Sequence, residues 1–141
     1  LEDNKTAEAL ADLDQAAKAS NSPLISDGAA LKAALLAMDT SSLADTQKRL
    51  APLMKEGRPF VAMAKEALAM AKLQAGDIKG ARTDLQVLSV TLGTPDGVKQ
   101  RASAFVAAID SGAIGTAQAM IKLPEAPMPV MPQMPQGAQA Q

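Results

Sequence analysis

At 141 residues and a formal charge of −1, the chain is long enough to build one domain around a core, and it lacks the basic surplus of a nucleic-acid binder. It contains no histidine and no cysteine, which removes the commonest general acid–base and the usual imidazole and thiolate metal ligands. Its apolar residues are chiefly alanine and leucine, with two phenylalanines and no tyrosine or tryptophan, so helices are favoured over strands and nucleic-acid bases have little to stack on.

Periodicity and punctuation predict six helices. The first covers about residues 5–19, with Ala9, Leu10, Leu13, Ala16 and Ala17 as its apolar stripe. Ser22 and Pro23 open a second through residue 38, carrying Leu24, Leu31, Ala34, Leu35 and Met38. Ser41 or Ser42 caps a third, with Leu43, Leu50, Leu53 and Met54, closed by Gly57. Arg58 and Pro59 start a fourth, carrying Ala64, Ala67, Leu68, Ala71 and Leu73 and ended by Gly76. Asp77 caps a fifth, with Ile78, Ala81, Leu85 and Leu88, closed by Gly93. Thr94 and Pro95 start the sixth, with Val98, Ala102, Phe105, Val106 and Ile109, ended by Gly112.

Pro23, Pro59 and Pro95 open helices at intervals of 36 residues. Proline suits a first helical turn, where the amide it lacks would be unpaired anyway. Helix pairs recurring at such a period mark a helical solenoid. After Gly112 the composition changes, dividing the chain into a helical domain at 1–112 and a segment at 113–141. That segment opens with a short helix near 117–123 and continues as LPEAPMPVMPQMPQGAQAQ. Proline every two or three residues favours polyproline II, or disorder on composition alone. Met128, Met131 and Met134 recur every three residues, which aligns three thioethers along one edge and makes them candidate ligands for a groove.

Within one period the chain resembles a tetratricopeptide (TPR) repeat. Leu68 and Ala69 match the large–small pair of its first helix, Gly76 the turn, Ala81 the small residue of the second helix and Leu85 its bulky packing position. No aromatic residue stands at the usual tryptophan, tyrosine or phenylalanine positions. The fold expected is all-α: a right-handed TPR-like stack of antiparallel hairpins, about six helices, followed by the Pro/Met-rich tail. Segment one falls in phase with segments three and five, which predicts at least one further helix upstream of Leu1.

The resemblance sharpens at Leu50-Ala51-Pro52-Leu53, Gly57-Arg58-Pro59-Phe60, Ala64-Lys65-Glu66-Ala67-Leu68, Gly76-Asp77, and Thr94-Pro95 followed by Gln100-Arg101-Ala102. Across residues 7–110 the chain is similar to the bacterial TPR-like domain family that includes the ancillary subunit of the SecYEG translocon. The tail is no part of that family's pattern. The resemblance implies a domain on the periplasmic face of the inner membrane, held by an upstream anchor outside this sequence. Its implied partners are the translocon channel, a periplasmic chaperone of the prolyl-isomerase type, or a client polypeptide. A cytoplasmic adaptor of another complex, and a homo-oligomer formed by tail exchange, are the alternatives.

A TPR-like stack binds along the surface formed by the first helix of each hairpin. Phasing on the turn glycines places Met63, Glu66, Met70 and Leu73 there from the fourth helix. Lys99, Ala102, Val106 and Ile109 follow from the sixth, and Asp27, Ala30, Ala34 and Ala37 from the second. Such a groove suits an extended apolar segment or a partner helix. No residue pattern calls for a cofactor, a metal or a catalytic role.

Overall fold

The structure, a computed structural model, describes residues 2–115, and every regular element among them is helical. The helices are α1 (Glu2–Ala19), α2 (Pro23–Ala37), α3 (Leu43–Leu50), α4 (Val61–Gln74), α5 (Ile78–Val90) and α6 (Asp96–Asp110), with a 3-10 turn at Ala51–Met54 between α3 and α4. The tail, with Met128, Met131 and Met134, and the short helix expected near 117–123 lie outside the described residues.

Local chemistry explains most of the boundaries. Pro23 occupies the first turn of α2 behind an extended Ser22. Ser42 caps α3, its hydroxyl accepting from the Asp45 amide at 3.1 Å and donating to the Asp45 carboxylate at 2.8 Å. Asp77 caps α5 by accepting from the Gly80 amide at 2.9 Å. The α4–α5 link is especially tight, because Asp77 also closes α4. Its amide donates to the Lys72 carbonyl at 2.9 Å while the Gly76 amide donates to Leu73 at 3.1 Å. That double closure requires the residue between to be left-handed, and Gly76 has φ +85°.

The third and fourth segments depart from expectation. α3 is not one helix running to Gly57. It stops at Leu50 and tightens into the 3-10 turn, where Pro52 has no amide to continue the α-helical ladder and its ring would crowd the carbonyl of the preceding turn. α4 begins at Val61 rather than at Arg58, with Phe60 as its cap residue and Pro59 outside the helix.

Consecutive helices pack on one another, and α4 also touches α6. Two buried clusters result, with α4 contributing to both. Leu31, Ala34, Leu50, Leu53, Ala64 and Ala67 form the first, with Phe60 and Leu68 against it. Ala69, Leu85, Leu88, Val98 and Ala102 form the second, with Met70, Phe105, Val106 and Ile109 alongside. Each buried leucine contributes roughly 2 kcal/mol of transfer free energy. Ala33, Ala64, Ala69, Ala81 and Ala102 are completely enclosed, and their small side chains allow neighbouring backbones to approach.

Candidate functional site

The eight groove candidates from α4 and α6 divide into four groups. Met63 is exposed at 42%, on the outer side of α4. Glu66 and Arg101 form a two-pronged ion pair, with Nε to Oε1 at 2.7 Å and the second guanidinium nitrogen to Oε2 at 2.8 Å, tying α4 to α6. The hydrogen bond from Arg101 to Glu66, and then their charge attraction, raise the guanidinium above its ordinary value. Lys99 is half-buried, and Met70, Val106 and Ile109 are partly buried, packed against the second cluster. Leu73 and Ala102 are core residues, 6% and 0% exposed, and cannot line an open surface. Turn-glycine phasing identifies a row of equivalent positions, but it does not say which of them the neighbouring helix covers. Asp27, read as groove-facing, is buried as well, and its carboxylate pairs with Arg58.

The structure opens elsewhere. Between the 3-10 turn and the C-terminal half of α5 lie two adjoining hollows of about 450 and 290 Å³, floored by α4. Met54, Lys65, Leu88 and Thr91 line both, so they form one continuous cleft. Val61 and Leu92 extend it at one end, and Leu68, Lys72, Asp84 and Val87 at the other. None of the eight groove candidates lines it. Its residues come from the 3-10 turn and the loop after it, from α4, and from the end of α5 with the loop that follows.

The walls are apolar and the rim is charged. Val87 and Leu92, on those walls, are exposed at 58% and 92%. Lys72 donates to Asp84 at 2.6 Å across the α4–α5 junction, and Lys65 stands exposed at the edge. Sequence reasoning missed this cleft, although one signal pointed to it. The buried stripe of α5 is Ala81, Leu85 and Leu88, yet Val87 on the same helix is apolar, exposed and out of phase with it.

Further side-chain ties join helices distant in sequence. Arg49 of α3 grips Asp14 of α1 with two hydrogen bonds of 2.9 and 3.2 Å. Gln74 reaches Asp39 at 3.5 Å, and Arg82 of α5 clasps Asp110 at the end of α6 at 2.6 and 2.9 Å. The hydrogen bond from Arg82 holds the Asp110 carboxyl below its ordinary value, and desolvation only partly opposes it. Among the described residues no cluster of three or more acidic side chains is placed to hold a metal ion, and no helix is long and apolar enough to cross a membrane. Comparisons with protein-family models, with curated proteins and with solved structures found no match for this chain.

Proposed function

We propose that the chain is a TPR-like stack of helical hairpins serving as a non-enzymatic protein-interaction scaffold. The observation that carries this reading is recurrence at an interval of 35 to 36 residues. Gly57 and Gly93, and likewise Gly76 and Gly112, are left-handed turn residues 36 positions apart. Leu50 and Leu85, both fully buried, are separated by 35, as are the bonded pairs Asp14–Arg49, Asp39–Gln74 and Glu66–Arg101. Equivalent turns, equivalent core leucines and ties joining one unit to the next are what a repeat stack needs.

Within that reading the cleft between the 3-10 turn and α5 is the seat for an extended apolar segment, since it offers apolar walls, a charged rim and a helical floor. The resemblance at Leu50-Ala51-Pro52-Leu53 and Gly57-Arg58-Pro59-Phe60 adds the setting: the periplasmic face of the bacterial inner membrane, beside the translocon channel and a prolyl-isomerase-type chaperone. The test is photo-crosslinking from residues 63 and 87 in membranes that contain these partners. Adducts of the channel or the chaperone from position 87, weaker from position 63, are the expected outcome. Adducts of neither partner from either position would remove the translocon setting, and efficient capture from 63 alone would move the binding face to α4 and α6.

A further inference from the structure

We propose that the partner segment seated in this cleft carries a carboxylate at its centre, with an apolar side chain two residues to either side, and that Lys65 selects it. The proposal rests on the cleft being a seat for an extended apolar segment, and adds the chemistry by which the seat discriminates.

The floor sets the order of contacts. Val61, Lys65, Leu68 and Lys72 follow one another on α4 at steps of four, three and four residues, which places them on one face of the helix. Val61 lines the first hollow, Leu68 and Lys72 line the second, and Lys65 lines both. The cleft therefore runs along α4 with Lys65 in its middle. At 1.5 Å per residue, Val61 stands about 6 Å from Lys65 along the axis and Leu68 about 4.5 Å beyond it. Alternate side chains of an extended segment recur at about 6.6 Å on one side. A segment laid along α4 with one side chain over Lys65 thus brings the next on that side close to Val61 and Leu92. The one on the other flank comes close to Leu68 and Val87.

Charge fixes what the central side chain must be. Lys72 already donates to Asp84 at 2.6 Å, so the far end of the cleft carries a neutralised pair. Lys65 is exposed and, among the described residues, pairs with no acidic side chain. Thr91, which also lines both hollows, commits its hydroxyl proton to the Val87 carbonyl at 2.7 Å and does not compete as a donor. Exposed Glu56 lines the Val61 end alone. A carboxylate shifted to that end meets a like charge, and one shifted the other way meets Asp84. The middle is where the cleft presents an uncompensated positive charge between two apolar stretches.

The test uses three labelled nonapeptides, capped at both ends, with valine at every second position and serine between. They differ only at the central residue, which is glutamate, glutamine or lysine, and each is titrated into the full chain by fluorescence anisotropy. The glutamate peptide should bind about two- to fivefold more tightly than the glutamine peptide, with the lysine peptide weakest. Added salt should narrow the spread. Lys65→Glu should reverse the order and Lys65→Gln should erase it, with circular dichroism confirming that both variants keep their helices. Equal binding of the three peptides by the parent chain, or a preference for glutamate that survives in Lys65→Glu, overturns the proposal and leaves the cleft as an unselective apolar seat. Failure of all three peptides to bind removes the seat, and the proposal with it.

Discussion

α1 and α5 are both alanine- and leucine-bearing helices, yet they are buried to very different depths. α5 packs against both α4 and α6, and Ala81, Leu85 and Leu88 are enclosed. α1 packs along α2 and is tied to α3 through Asp14 and Arg49. Its best-placed residues, Leu10, Leu13 and Ala17, are only half-covered. Depth is therefore conferred by the neighbours flanking a helix, and similar apolar stripes carry different free energies at different places in the row.

Truncating matched leucines should expose the contrast most strongly. Leu85→Ala should cost about 3–5 kcal/mol in chemical denaturation, through lost transfer energy and the cavity left behind. Leu13→Ala should cost about 1 kcal/mol or less, and equal losses would mean that α1 is as deeply held as α5. Enlarging small residues comes next. Ala81→Leu must force α4 and α5 apart and should cost about 1–3 kcal/mol, whereas Ala16→Leu on exposed α1 should fall within about 0.5 kcal/mol of neutral.

The links differ too, and here the expected effect is smaller. Gly76→Ala places a Cβ in a left-handed conformation and should lower stability by about 1 kcal/mol. Ser20 and Ser22 join α1 to α2 with no such residue, so alanine at Ser20 should be nearly silent in the same melt.

The smallest effect is electrostatic. Arg82 lowers the folded-state value of Asp110 below the ordinary 3.8, so the stability this pair contributes is present above that value. It disappears as the pH falls through the depressed folded-state value. Asp110→Asn should accordingly lower Tm at neutral pH and converge with the parent chain at the acid end of the folded range. A difference that persists in acid would assign the effect to packing instead.

Turns and caps were legible in the sequence because their causes are local. Ser42, Asp77, Pro23 and the turn glycines act through their own backbone or that of residues a few positions away. The course of α3 was misread because Leu53 and Met54 continue its apolar rhythm, while Pro52 silently removes a ladder amide. The binding face was harder still. Leu73 and Ala102 hold the right phase for an exposed row, and only the approach of adjacent helices buries them. The cleft is assembled from the 3-10 turn, α4 and the end of α5 together, a tertiary outcome that no single stretch of sequence spells out. Its one local trace was off-stripe Val87.

The ties Asp14–Arg49, Asp39–Gln74 and Glu66–Arg101 each join neighbouring helix pairs, with no bridge from the first pair to the last among them. Under tension between its two ends, such a chain loads its clasps in series, and the weakest yields while the others hold. α1, none of whose described side chains is fully buried, is the place where peeling starts. A pull from the N-terminal side would then be absorbed by the first hairpin, leaving the cleft beyond it intact.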